Sequence, residues 1–317
     1  MAIQKVNQVP YKTKYHTTIR LMRQNIGMYL LILLPLIYLT IFHYVPMYGV
    51  IISFKNFKPV LGIVGSEWIG LYHFQRFFNQ TRFWMILKNT FTLSLYSLIA
   101  GFPLPIILAL SLNSCHFPKL KKITQTVSYV PHFISTVVFV GIINIFFAPS
   151  LGLFSQILNK IGIIEGPLMT LLEKSAFPHL YVWSGIWQGL GWNSIIYIAA
   201  LSGVDPSIHE AALVDGANKF QRVRHIDIPS IVPTIVILLI LNCGSILNLG
   251  FEKIFLMQNS MNAEVSEVIS TYVYKVGLLD VQYSYAAAIG LCNSIVNFIM
   301  LISVDRITKL LGQRGLF

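Results

Sequence analysis

The sequence predicts an all-α polytopic membrane protein with six transmembrane helices and a cytoplasmic two-helix loop between spans four and five. Three observations predict it. Of 317 residues, 55% are hydrophobic and 11% charged, with a mean hydropathy of +0.67, whereas soluble domains carry about 25% charged residues. Six separate apolar stretches approach the length of about 20 residues that a helix needs to cross a bilayer. Between the fourth and fifth lies a polar segment with helix start and stop signals of its own. The same composition excludes intrinsic disorder and coiled coil, which both need charge.

The net charge of +11 would point to nucleic acid in a soluble chain. Here it reads as topology, because Lys and Arg in short loops hold the cytoplasmic side. Residues 1–26 form a basic segment with Lys5, Lys12, Lys14, Arg20 and Arg23 and no acid, expected in the cytoplasm. The first span follows at 28–45, too long for a signal-peptide core and closed by no A-x-A site. Apolar Ile51–Phe57, interrupted by Lys55, reads as the lip of that span. Further spans are expected at 90–112, 127–147, 180–201, 231–249 and 284–303. Placing 1–26, 113–126, 203–230 and 304–317 inside puts 14 of the 23 Lys and Arg in the cytoplasm, together with both termini. The first outer loop (Lys55, Lys58, Arg76, Arg82, Lys88) pulls the other way. Pro35, Pro46, Pro103 and Pro105 lie in or beside spans, where each removes a backbone donor and should kink or break the helix. Cys115, Cys243 and Cys292 are far apart and form no CxxC pair, so neither a disulfide framework nor a metal site follows.

The loop at 202–230 is where the sequence is most specific. Asp205 before Pro206 is a helix start, a capping side chain followed by proline at the first helical position. The helix Pro206–Val214 is expected to stop at Asp215-Gly216, since glycine takes the left-handed conformation without a Cβ clash. A second, basic helix is expected at about 218–226, with Pro229 and Pro233 leading into span five. Small residues Ala211, Ala212, Gly216 and Ala217 leave the backbone open to close approach; a helix pair lying on lipid headgroups would explain the pattern as well.

Here Glu210-Ala211-Ala212, Asp215-Gly216-Ala217, Ile226, Pro229 and Pro233 resemble the EAA signature of ABC importer permeases, EAA-x-x-DGA followed by I-x-x-P-x-x-x-P. Val223 stands where the family usually has an aromatic residue. The stretches 41–57, 102–113, 125–136, 250–257 and 271–278 are similar to the LplB-type subfamily, assigned to oligosaccharide uptake; the likeness covers 28–317. The resemblance implies a coupling role for Glu210, Ala211, Ala212, Asp215, Gly216, Ala217 and Pro229 against a separate ATPase. It also implies a second permease subunit (a paralogue in a heterodimer), two ATPase subunits carrying ATP and Mg, an extracytoplasmic solute-binding protein and a bacterial cell-membrane location. No cofactor, metal, catalytic residue or nucleic-acid partner is implied for this chain.

The residues agree that the chemistry lies elsewhere. There is no GxxxxGK[ST] phosphate loop, and His209-Glu210 fails as HExxH because position 213 is Leu. A sugar path needs polar and aromatic groups inside the bundle. Extending span five as one helix places Asn242, Ser245 and Glu252 within about an 80° arc, with Asn248 off it. Asn293 and Asn297 share a face of span six, where asparagines equally serve as interhelical glue. Trp183, Trp187, Gln188, Trp192 and Asn193 cluster on span four, where tryptophan also marks the headgroup zone. Three alternatives remain at this level: a permease for another solute, an ion-coupled carrier, for which neither a repeat nor mid-span charge is visible, and a membrane scaffold.

Overall fold

A computed structural model describes residues 24–149, 151–163, 166–168, 170–310, 312 and 315. The basic segment expected at 1–26 therefore lies almost wholly outside the described residues. The chain enters α1 (Ile26–Phe54), whose last turns tighten to 3-10 geometry over Tyr48–Phe54, so the expected lip continues the first span. Strands β1 (Lys55–Asn56) and β2 (Glu67–Trp68) pair antiparallel, a small departure from an all-helical chain. Next come α2 (Tyr72–Phe78) and α3 (Phe83–Asn113). Within α3, Phe102 keeps helical dihedrals between its two halves, so Pro103 and Pro105 leave the span unbroken.

The continuous span expected at 127–147 is not there. Its residues divide between α4 (Pro118–Phe133) and α5 (Thr136–Phe146), bent by 101°. Pro131 has no N–H for the ladder, Ile134 is extended, and the Ser135 hydroxyl caps α5 by accepting from the Val138 N–H. The carbonyl of Ile134 that the break exposes is taken by Gln188 Nε2 at 2.9 Å.

After α6 (Leu153–Lys160), α7 (Ala176–Ser202) contains the span expected at 180–201, and α8 (Pro206–Val214) has the expected limits. The loop then differs from expectation. Rather than a second short helix and a span at 231–249, a single helix α9 (Lys219–Gly244) runs through. It widens to a π turn over Val223–Asp227, directly before Pro229, which has no N–H to return to the preceding turn. It also ends five residues early. Asn242 and Ser245 bond back to the carbonyls of Leu238 and Leu241, competing with helix continuation. The chain turns into α10 (Phe251–Met257), then α11 (Ile269–Tyr274) and α12 (Tyr283–Leu310).

Among the described residues, α1, α3, α9 and α12 are long and apolar enough to cross a membrane, and α4–α5 adds a fifth crossing if the bent pair is one span. Helix α7 has the length, but His179, Gln188, Asn193 and three glycines lower its apolarity. It is nevertheless the hub. Its Phe177, Tyr181 and Val182 join Leu93, Val140 and Ile254 in one core cluster; its Tyr197 and Leu201 join Ala109 and Ile231 in a second. A third cluster closes the opposite side with Phe77, Ile86, Tyr272, Tyr285 and Ile289. Helix α1 shares none of this: over Ile26–Met47 no side chain is buried.

Gly191 sets how closely α7 crosses α4, because a Cβ there would overlap the Ser128 carbonyl and press on the Tyr129 ring. Overpacking of this kind costs roughly 1–3 kcal/mol. Gly191→Ala should lower the thermal midpoint of the purified protein in detergent by about 5 °C. Gly141→Ala, with no atom within 4 Å of the new methyl, should leave it unchanged.

Candidate functional site

A cavity of about 600 Å³ opens where α3, α7, α9 and α10 meet. Its wall is built from the polar positions that make α7 a poor lipid-facing helix: Gln188, Trp192 and Asn193, one to two turns beyond Tyr181 and Gly185. Ser94 and Ser97 of α3 face them, and Asn242, Ser245 and Asn248 come from the end of α9 and the segment after it. Trp192 is held rigid by stacking on His132, centroids 4.3 Å apart and planes 5° off parallel. Lys253 of α10 completes the wall and is its sole charged residue among those described. It is buried, donates from Nζ to the Tyr181 carbonyl at 2.9 Å, and lies 5.0 and 5.3 Å from the Tyr181 and Phe139 ring centres.

The break after Gly244 rearranges the expected arc. Asn242 and Ser245 do reach the cavity, but Glu252 sits on the exposed side of α10, and Asn248 and Lys253 take the wall in its place. Asn293 and Asn297 are not on the wall. Both donate to Asn248 Oδ1, at 2.9 and 3.0 Å, while Asn297 Oδ1 accepts from the Leu247 N–H at 3.1 Å. They hold the non-helical segment against α12, so the glue reading describes their geometry. Trp187 is also off the wall, stacked on Phe139 at 5.7 Å, and Trp183 donates to the Tyr96 hydroxyl. Asn248 and Lys253 escaped the sequence because the arc assumed an unbroken helix. Gly244 and Gly250, flanking a segment that holds Ser245 and Asn248, were the available sign of a break.

The second constellation is α8 and its surroundings. Asp205 Oδ1 accepts from the Ser207 N–H at 2.9 Å, and that bond holds its carboxyl below the usual range. At the other end Gly216 has φ +80°. The Gly216 N–H reaches the Leu213 carbonyl and the Ala217 N–H the Ala212 carbonyl, a Schellman closure that needs the left-handed residue. Asn218 and Gln221 then exchange bonds across the start of α9 as a capping box. Glu210, Ala211, Asp215 and Pro229 are exposed and Ala212 and Ala217 half-buried. Around them Leu213, Val214 and Phe220 also lie open. Behind α8 a cleft of about 370 Å³ ends at buried Asp227 of α9. One oxygen of that carboxylate meets His209 Nε2 of α8 at 3.3 Å and Asn113 Nδ2 of α3 at 3.2 Å. Three elements thus meet on a single acid.

Residues 101–313 match the family described as binding-protein-dependent transport system inner membrane component. The chain is 41% identical to the polygalacturonan/rhamnogalacturonan transport system permease protein YteP of Bacillus subtilis over 94% of its length and 92% of that protein. It is 40% identical to protein LplB of the same organism over 93% and 92%. Among solved structures it is similar to a chain of a bacterial ABC transporter involved in the import of the acidic polysaccharide alginate, with TM-score 0.85 and 36% identity over 94% of this chain and all of that one.

Asn248→Ala removes the acceptor shared by Asn293 and Asn297 and leaves buried Asn297 with one donor unpaired. An unsatisfied buried polar group costs about 1–3 kcal/mol. The variant should therefore lose thermal stability comparably to Gly191→Ala. Glu252→Ala, on the exposed side of α10, should leave the midpoint within a degree of the parent.

Proposed function

We propose that this chain, which belongs to the family of binding-protein-dependent transport system inner membrane components, carries an oligosaccharide through the polar cavity and is driven through α8. It is a permease subunit of an ABC importer and not itself an enzyme; ATP hydrolysis resides on a separate subunit. The observation that carries the sugar reading is the wall of the cavity. In a bundle whose other faces are apolar, Gln188, Asn193, Asn242, Ser245 and Asn248 offer donors and acceptors for hydroxyls, and Trp192 offers an aromatic face. That pairing of hydrogen bonds with a flat apolar surface suits a pyranose ring. Two similar proteins are named for polysaccharide import, which supports the same class of substrate.

The finer assembly follows from the elements. Six crossings are made by α1, α3, the bent pair α4–α5, α7, α9 and α12, with both termini on the cytoplasmic side. Helix α7 counts among them because its polar residues face the cavity rather than lipid. Helix α8, between the fourth and fifth crossings, then lies on the same side as the termini, as does the Asn113 end of α3 that meets it. The exposed apolar residues Leu213, Val214 and Phe220, with small Ala211 between polar Glu210 and Asp215, form the contact for the ATPase. Displacement of α8 reaches α3 and α9 through His209, Asp227 and Asn113, and those two helices line the cavity: a rigid-body switch. The bare apolar length of α1 is covered by lipid and by a second permease subunit, a paralogue of this one. Two ATPase subunits bring ATP and Mg, and a solute-binding protein delivers the sugar outside.

The turn at Gly216 tests the coupling. Its substitution meets no atom within 4 Å, so any effect comes from the backbone, where a left-handed residue with a side chain costs roughly 1–2 kcal/mol. Gly216→Val should reduce ATPase co-purification and oligosaccharide uptake by about tenfold. Gly216→Asn should preserve both, since asparagine tolerates this conformation. Equal retention by the two variants would remove α8 from the coupling path.

A further inference from the structure

We propose that Lys253 is the anion anchor of the cavity, pairing with the carboxylate of a uronic-acid unit in the transported oligosaccharide. This rests on the cavity being the sugar path and names the class of sugar it selects. The wall holds one cation and, among the described residues, no Asp or Glu. Lys253 is buried, and none of the described acids lies within ion-pair distance of it. A buried amine without a counter-charge is driven towards its neutral form, and an anion entering the polar cavity would stand beside it and hold the charged form.

The local geometry provides for that anion. An ammonium has three donors; one goes to the Tyr181 carbonyl, and no other protein acceptor is within reach among the described residues. The faces of Tyr181 and Phe139 support the positive charge at 5.0 and 5.3 Å. Gly185 keeps the approach clear, since a Cβ at that position would stand 3.1 Å from Nζ. A single ammonium with no guanidinium fork beside it suits a singly charged carboxylate better than a phosphate dianion. The neutral amides of Asn242 and Asn248 then serve the hydroxyls of the same or the next unit.

The test uses the assembled permease–ATPase complex in nanodiscs without the solute-binding protein, so that this chain's cavity is read directly. Trigalacturonate and trimannuronate are titrated, each beside its carboxyl-reduced neutral form. The native complex is expected to bind at least one acidic trisaccharide about tenfold more tightly than its reduced form. Lys253→Met should erase that difference by weakening only the acid, and Lys253→Arg should keep most of it. Equal binding of acidic and reduced forms by the native complex overturns the proposal and needs no variant. So does a Lys253→Met complex, folded by its thermal midpoint, that weakens both forms alike. A native complex that binds neither form at millimolar concentration overturns the sugar reading itself.

Discussion

Inside a hydrocarbon layer every backbone N–H and C=O must find a partner within the protein. Two places in this chain leave the helical ladder within the bundle, the bend at Ile134 and the turn after Gly244, and each is sealed by a side-chain amide. Gln188 takes the Ile134 carbonyl; Asn297 takes the Leu247 N–H and, with Asn293, clamps Asn248. Without these amides the breaks would be too costly to keep. With them, α5 turns away from α4 and α10 turns back towards the bundle, where it closes the cavity against α3, α7 and α9. The polar residues that lower the hydropathy of α7 therefore include one that permits the neighbouring helix to break.

The same economy of polar groups operates at the other end of the molecule. Asp227 is buried, and a carboxylate there survives because His209 and Asn113 converge on it. That convergence ties α8 to α3 and α9, the helices that run on to the cavity wall. Apolar packing alone would let α8 slide over its neighbours, since dispersion has no direction. A shared carboxylate fixes its register against α3 and α9. The widened turn at Val223–Asp227 places that acid on the inner face, just before Pro229 restricts the chain.

What could be read from the sequence was whatever depends on neighbouring residues alone. Helix α8 has its expected limits because Asp205-Pro206 and Asp215-Gly216 act within four or five residues of themselves, and the apolar extents of α1, α3 and α12 follow from composition. The family was legible for the same reason, its motif being continuous. The bend at 134 and the early end of α9 involve partners 50 or more positions away: Gln188 for the first, Asn297 for the second. Ser and Asn at 242–248 announce a competitor for backbone bonds but not where the chain then goes. Nothing local to Lys253 distinguishes a lysine that folds back under Tyr181 from one that reaches water.

Two features remain unbalanced within this single chain, and they differ in kind. The apolar surface of α1 over Ile26–Met47 is tolerable in lipid, where burial against protein adds packing but no hydrophobic gain. It is compatible with the isolated chain, and its covering by a second permease would be driven by shape and number of contacts. Lys253 is different, because the Tyr181 carbonyl and the faces of Tyr181 and Phe139 stand against its amine without supplying a counter-charge. An apolar helix waits for a partner at little cost, whereas a buried amine without a counter-charge is driven towards its neutral form.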